Sequence, residues 1–417
     1  MNFFQRCLFF LGMLFLGTAS LHAQSPPPFQ KLSPQAQVSL LTCGPGDALF
    51  EAFGHSAIRV QDPALGIDAV YNYGLFDFDQ PNFYLNFIRG YMLYSLGRTE
   101  FERFLYQYEY FNRSVYEQSL TLSAAQRQRA YEFLEYNNLP KNRQYYYDYF
   151  FDNCATRPRD VFERVLGDSL KFDYSYANRL HYTIRDLIHR YIEDEPKFAW
   201  GNFGIDLGLG SRIDRAAKPR EYMYQPEFLA AAFSGATVRQ PDGSTRLLVG
   251  GTRTLFEATP EDEPEASWIT PTVVLWIMFA IAVGRTAYDI THRRRKSYAV
   301  DIFIYFCVGF LGCLLLFLAW FTNHTAAGAN YNLLWAWPTH ALIPFLLFIR
   351  HRPLWVSSYF LASAIATGLT LLLWGIIPQD LNEALVPFLL GLTLRSAYIF
   401  IRARKLWVYE RKEATVH

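Results

Sequence analysis

The chain has 417 residues, enough for one sizeable soluble domain and a separate membrane part. Its formal charge of +1 provides no basic field for nucleic acid. Hydrophobic residues make up 51% and aromatics 18%, but unevenly: Asp and Glu are common up to Glu265, while nearly all long apolar runs lie beyond Trp268.

Arg6, the apolar run Cys7 to Leu16, then Gly17-Thr18-Ala19-Ser20 and Ala23 read as a secretory signal over 1–23. The run is too short to span a bilayer, which takes roughly 20 apolar residues. No cysteine sits just after it, so the segment is not a lipoprotein signal. Residues 24–36, with Ser25-Pro26-Pro27-Pro28, read as an extended linker.

Val38 to Leu41 alternate weakly and predict a strand ending at the turn Cys43-Gly44-Pro45-Gly46. Phe53 to Val60 predicts a second strand, with His55, Ala57 and Arg59 on one face, broken by Asp62-Pro63. Ala69 to Leu75 is a third, carrying Tyr71, Asn72 and Tyr73. Asn82 to Ile88 and Thr99 to Tyr110 have helical periodicity, and Arg113 to Leu120 reads as a strand. Ser123-Ala124-Ala125-Gln126 is a capping-box pattern opening a helix to about Asn137. Gln144 to Phe151 reads as an aromatic strand, followed by Asp152-Asn153-Cys154 and a helix through Val165. Residues 37–166 thus predict an α+β unit with a small antiparallel sheet and packed helices. Residues 167–267 predict a periplasmic extension with one helix at Tyr182–Tyr191 and a hairpin at Pro241-Asp242-Gly243, bordering the active site or the membrane.

Five hydropathic segments follow, about 268–290, 299–321, 333–350, 354–377 and 384–401, predicting an all-α five-helix transmembrane domain over 268–405. Positive charge falls on alternate loops: His292-Arg293-Arg294-Arg295-Lys296, Arg350-His351-Arg352 and Arg402-Ala403-Arg404-Lys405. The loops Thr322 to Trp337 and Pro378 to Ala384 carry no Lys or Arg. The positive-inside rule then places residues 24–267 in the periplasm and the tail 406–417 in the cytoplasm, with the chain multi-pass in the bacterial inner membrane.

Cys7 goes with the signal, and Cys307 and Cys313 fall in the second span, so Cys43 and Cys154 are the exported thiols. An oxidising compartment makes a Cys43–Cys154 disulfide the bland alternative. The surroundings of Cys154 favour a nucleophile instead. Asp152 or Asn153 can cap a helix, leaving Cys154 in a first turn whose free N–H groups favour a thiolate, and Arg157 and Arg159 add positive charge. Pro158 shifts the regular helix towards Thr156 and leaves Cys154 on the leading turn. His55, between small neighbours, is the natural base. Asn72 is the first candidate to orient its ring and Asp47 the second. Glu51 and His55 are four apart, but no His-Glu-x-x-His pattern exists and His181 and His189 lack ligand-like company, so no metal or other cofactor is expected. Tyr145-Tyr146-Tyr147 reads as a packed aromatic strand.

Cys43-Gly44-Pro45-Gly46, Phe53-Gly54-His55-Ser56-Ala57-Ile58-Arg59-Val60, Tyr71-Asn72-Tyr73-Gly74 and Phe151-Asp152-Asn153-Cys154-Ala155-Thr156-Arg157 together resemble the Lnb-type N-terminal periplasmic domain of Bacteroidota. Thr322-Asn323-His324 and Asn330-Tyr331-Asn332-Leu333-Leu334-Trp335-Ala336 resemble the same family. The resemblance implies a lipoprotein N-acyltransferase with a permuted NlpC/P60-like, papain-like domain. Such an enzyme moves a fatty acyl chain from a phospholipid, through a thioester on Cys154, to the N-terminal amine of a diacylated lipoprotein. His55 and Cys154 carry over onto the family's catalytic positions. In permuted relatives the third group is often a second His, which this chain lacks at Asn72. Asn323, His324 and Asn332, with Asn330 and His340 nearby, are candidates to hold substrate, against a default of capping helix ends. Arg395 in the last span reads as snorkelling towards Arg402 and Arg404. The competing reading is a membrane-anchored cysteine peptidase or amidase acting on cell-wall peptides.

Overall fold

Strand propensity and turn chemistry set the first half. Strands β1 (Gln37–Cys43) and β2 (His55–Asp62) are joined by the loop of residues 44–54, and β2 and β3 (Ile67–Leu75) by a tight connection opened by Asp62, whose carboxylate accepts from the Ala64 N–H ahead of a 3-10 turn begun by Pro63. Helix α1 (Phe83–Arg89), strand β4 (Leu93–Glu100), helix α2 (Phe101–Tyr110), strand β5 (Val115–Leu120) and helix α3 (Ala124–Asn138) follow. The Ser123/Gln126 capping box is formed at the start of α3. Strand β6 (Gln144–Tyr146) leads through an irregular turn to helix α4 (Thr156–Leu166). In this computed structural model the described residues are 29–77, 79–240, 242–260, 267–292, 298–349 and 352–414. The expected signal segment, the Pro26-Pro27-Pro28 stretch, Pro241, the basic residues Arg293 to Lys296, Arg350-His351 and the last three residues of the tail lie outside them.

The chain continues with strand β7 (Leu170–Lys171), short helix α5 (Ser175–Asn178), helices α6 (Ile184–Ile192), α7 (Ala199–Gly208) and α8 (Pro226–Gly235), and strands β8 (Thr237–Arg239), β9 (Thr245–Leu247) and β10 (Val249–Phe256). Residues 167–256 extend the sheet and core of the first unit. Strand β10 edges a seven-stranded antiparallel sheet of order β10-β5-β1-β2-β3-β4-β6, and Leu229 and Phe233 of α8 join its core. The expected hairpin is formed by β8 and β9. Strand β4 replaces the first residues of the helix expected from Thr99. Its sequence, with Gly97 in the middle, lacks clean alternation, and pairing with β3 and β6 holds it extended.

The sheet is covered on both faces. Val38, Leu40, Ile58, Val60 and Tyr71 pack towards α3, α4 and α8, while Leu41, Ala57 and Val70 pack on Phe104 and Tyr108 of α2. Two buried faces explain why β1 alternates so weakly in sequence.

Among the described residues, four helices are long and apolar enough to cross a membrane: α9 (Pro271–Thr291), α10 (Ala299–Phe321), α11 (Leu354–Leu372) and the first part of α12 (Leu385–Ala414). The third of the five expected helices is not one. Residues 331–348 form successive 3-10 turns at Tyr331–Leu334, Pro338–Ala341 and Ile343–Phe348. Pro338 and Pro344 each remove an N–H and block a continuous α-helix. The segment still travels the length of α10, antiparallel to it. A Cβ on Gly312 would lie 2.1 Å from the Ala336 carbonyl oxygen, and one on Gly309 would lie 1.9 Å from the Ala341 nitrogen. Phe306 meets Phe345 nearer the start of α10. Irregular backbone at membrane depth is tolerated where protein covers it, and Trp335 and Ala336 are buried here.

Arg395 does not snorkel. It is buried, donating to Asp301 at 2.8 Å, Asp289 at 3.1 Å and Thr286 at 2.9 Å, and so ties α12 to α9 and α10. At the opposite end of the bundle two loops clasp the end of α7. Asn330 donates to the Leu207 carbonyl at 2.7 Å, Gln379 to the Leu209 carbonyl at 3.0 Å, and Asn382 to the Asp206 carboxylate at 2.8 Å. The first two satisfy carbonyls that a helix end leaves unpaired, and all three fix the head to the bundle.

Candidate active site

The leading turn of α4 is built by Asn153. Its amide oxygen accepts from the N–H groups of Ala155 and Thr156, both at 2.9 Å, and its amide nitrogen donates to the carbonyls of Tyr149 and Tyr224, both at 2.8 Å. The regular helix begins at Thr156, and Cys154 sits in the turn ahead of it, as Pro158 implied. Cys154 is nearly buried and free.

His55 opens β2 and hydrogen-bonds the Cys154 thiol. Its Nε2 lies 2.6 Å from Asn72 Oδ1. A carboxamide oxygen can only accept, so Nε2 carries a proton and Nδ1 is the atom free to exchange one with the sulfur. Register places Asn72 on the strand next to His55, where the pairing with β4 is interrupted between Asn72 and Leu75. Within that irregularity Gly74 has φ +97°, a conformation that L side chains rarely adopt, and a Cβ there would sit 3.5 Å from Cys154 Cβ and 3.8 Å from His55 Cε1. The bare glycine leaves the approach to both groups open.

Burial alone would push the Cys154 thiol up. The charge of His55, its hydrogen bond, and the N–H groups of Ser56 and of Cys154 itself outweigh it and hold the thiol below its ordinary range. Burial would likewise push His55 down, but the Cys154 charge and hydrogen bond, with the bond to Asn72, hold it above its ordinary value. The arrangement favours a thiolate–imidazolium pair. The arginines expected to assist are engaged elsewhere: Arg157 with Asp152, its guanidinium 3.9 Å over Tyr145, and Arg159 with Asp160 at 2.7 Å. Asp47 is exposed and paired with Lys197 at 2.8 Å, away from His55. Glu51 turns to Arg113 at 2.8 Å.

Beside the pair lies a cavity of about 710 Å³, walled mainly by aromatic and aliphatic side chains including Phe53, Tyr147, Tyr149 and Trp200. Tyr147 links the two: its ring lies 3.8 Å from the same Gly74 Cβ position that approaches Cys154 and His55. Of the three expected aromatics, Tyr145 is packed and Tyr146 exposed, while Tyr147 stacks on Tyr94 at 4.2 Å and faces the cavity. The floor is the loop that follows α10, including Asn323 and His324. Asn332 stands apart from it. That side chain is fully buried, donating to the Asp206 carbonyl at 3.2 Å and accepting from the Trp335 indole at 3.1 Å. Met92, just ahead of β4, and the glycine-rich face of α7, neither singled out in the sequence, complete the wall. The Gly201, Gly204, Gly208 spacing is the signal that marks that face.

Residues 28–190 match a family model described as the Lnb N-terminal periplasmic domain, and residues 263–406 match one described as the Lnb transmembrane domain. No curated protein and no solved structure matches the chain.

Proposed function

The chain belongs to the Lnb family, a membrane protein with a periplasmic domain; from that membership and the geometry of the cleft we propose that it is a lipoprotein N-acyltransferase of the bacterial inner membrane, with a cytoplasmic C-terminus. The observation that carries the reading is a hydrogen-bonded chain of Cys154, His55 and Asn72 opening beside an apolar cavity whose floor is a loop of the membrane domain. A cell-wall peptidase has no use for such a floor.

In the first step the Cys154 thiolate attacks the ester carbonyl carbon of a phospholipid. The N–H of Cys154, freed from the sulfur as the thiolate is consumed, donates to the developing oxyanion. As the tetrahedral adduct collapses, the C–O bond breaks, His55 gives its Nδ1 proton to the departing oxygen, and lysophospholipid leaves an acyl-thioester. In the second step the neutral α-amine of a diacylated lipoprotein attacks the thioester carbonyl. His55, now neutral, takes the amine proton, the C–S bond breaks, and the thiolate is regenerated. An α-amine with pKa near ~8 is partly neutral at working pH, so a modest base suffices. Asn72 is a positioning residue: its oxygen holds the Nε2–H tautomer and aims Nδ1 at sulfur. A permuted NlpC/P60-like ancestry accords with His preceding Cys in the chain.

The cavity volume of about 710 Å³ suits a substantial apolar ligand. Its apolar walls disfavour water as a competing acceptor. The test is the intact mass of the purified protein before and after exposure to phospholipid vesicles. A hydroxylamine-labile acyl adduct on wild type, absent from Cys154→Ala and discharged by a diacylated lipopeptide, is expected. Turnover of cell-wall peptide with no acyl adduct would give the peptidase reading instead.

A further inference from the structure

Helix α1 presents an unusual surface for a segment outside the bundle. Its sequence is Phe83-Tyr84-Leu85-Asn86-Phe87-Ile88-Arg89, and none of the seven residues is buried. Tyr84 is 74% exposed, and Leu85, Phe87 and Ile88 are each about half exposed. Contiguous apolar surface of this kind on a folded protein marks a partner or a membrane.

Its position decides between them. The Arg89 carbonyl accepts from the Asn323 N–H at 2.9 Å, and the Phe87 carbonyl lies 3.0 Å from His324 Nε2. A Cβ on Gly90 would lie 2.9 Å from the Asn323 carbonyl carbon, so the two backbones touch. Asn323 follows Phe321, the last residue of α10, by two positions. Helix α1 is thus held level with the end of a membrane-crossing helix. Trp320 and Phe321, 76% and 70% exposed, extend the same apolar surface on that helix. The chain leaving α1 then passes into the cavity wall at Gly90 and Met92.

We propose that α1 lies in the outer leaflet of the membrane, its apolar side chains among phospholipid acyl chains, and that it lines the path by which a phospholipid reaches the cavity. The leaflet insertion follows from exposure and position; the access role rests on the acyl-transfer reading. An interfacial helix is bound by the apolar area it buries below the headgroups. Here that helix is tethered at its C-terminal end to the bundle, so it needs no affinity of its own to stay there.

The test uses the full-length Cys154→Ala protein in vesicles of phosphatidylethanolamine and phosphatidylglycerol, with a photoreactive benzoylphenylalanine in place of Leu85. A second protein carries it in place of Leu247, an exposed apolar residue of β9, in the small sheet reached through the C-terminal end of α4. Phospholipid adducts at position 85, exceeding those at 247 by about tenfold or more, are expected. Equal yields, or none at 85, overturn the insertion. In the otherwise wild-type protein, Leu85→Asp with Ile88→Asp is expected to slow acyl uptake from vesicles about tenfold while leaving acylation by a short water-soluble ester unchanged. Equal loss with both donors, or no loss with either, overturns the access role. Absence of any acyl uptake by wild type would strike the acyl-transfer reading and leave the photoadduct result standing.

Discussion

Cys43 and Cys154 are both buried, both free, and both close to His55, Cys43 as its direct cross-strand partner. Their thiols are driven in opposite directions. Burial pushes Cys43 up to about 12, and the hydrogen bond from Tyr108 offsets only part of that. Cys154 suffers the same penalty but faces the His55 ring and two backbone N–H groups, and it is held below its ordinary value. Burial makes a thiol inert; donors fixed around the sulfur make it a nucleophile. The difference lies in direction of approach. Cys43 packs among Phe104, Tyr108 and Val115, whereas Cys154 reaches the ring from a turn that Asn153 holds in place.

The largest effect expected is the loss of the adduct. Cys154→Ala should abolish acyl-thioester formation, as removal of a nucleophile commonly costs about 10⁴-fold or more. Cys43→Ala should stay within about twofold of wild type, since that thiol is protonated at working pH. Intact mass spectrometry with phospholipid reads both. An acylated Cys154→Ala protein would end the comparison.

Next comes Asn72→Ala. Loss of an orienting partner behind a reactive ring typically costs about 10- to 100-fold. A purely structural role would lower activity too, so the pH profile is the sharper measurement. The Cys154 thiolate is present above its depressed pKa and is lost as pH falls through that value. The His55 imidazolium is present below its raised pKa and is lost as pH rises through that value. Because Asn72 helps hold His55 charged, the alkaline limb of acyl uptake should move to lower pH in Asn72→Ala. An unmoved limb would assign Asn72 to packing.

A third substitution separates binding from support. Asn332 has been weighed as a substrate ligand, but its side chain is spent on the Asp206 and Leu207 carbonyls and the Trp335 indole. Asn332→Ala should therefore lower thermal stability, by about 1–3 kcal/mol for partners left unsatisfied. Apparent affinity for phospholipid should change little. A raised KM with unchanged unfolding temperature would restore the substrate role.

The juxtaposition at the candidate site was easier to read from the sequence than the architecture. That His55, Cys154 and Asn72 come together was legible because each sits in a local pattern, a strand, a helix start or a strand neighbour, that constrains where its side chain goes. The capping box at Ser123 was legible for the same reason. What stayed hidden depends on distant chain segments. Strand β4 exists because β3 and β6 flank it, and β10 completes the sheet from more than a hundred residues downstream of β5. The 3-10 crossing was hidden behind apolar composition that suits a helix equally well. The two prolines were the signal, and Gly309 and Gly312 on α10 were its counterpart. Arg395 looked like a snorkelling residue because Asp289 and Asp301, its partners, lie on other helices.

His189 and Asp206 offer the mildest test, because they repeat the ingredients of the cleft without its geometry. Here too an imidazole meets an anion, with Nε2 lying 2.9 Å from Oδ1 and Asp206 almost wholly buried. Burial would push His189 down, but the bond to Asp206 and its charge hold the ring above its ordinary value. Asp206 is lowered, its burial outweighed by His189, Asn382 and Arg185. Its carboxylate is saturated by those partners and has none to spare for a substrate. The pair should brace α6 against α7 and so support the clasp that Asn382 makes between head and bundle. A raised imidazole contributes stability that is full below its unfolded pKa and is lost as pH rises through the folded value. A lowered carboxylate contributes stability that is present above its unfolded pKa and is lost as pH falls through the folded value. Thermal stability of the whole protein should therefore fall on the alkaline side of the His189 titration and again in strong acid. His189→Gln keeps one donor but no charge; it should remove the alkaline fall and reduce the acid one, at a cost of about 1 kcal/mol near neutral pH. Acyl-thioester formation on Cys154 should survive that change. If it does not, the clasp feeds the cleft, and the contrast between a catalytic and a structural imidazole fails.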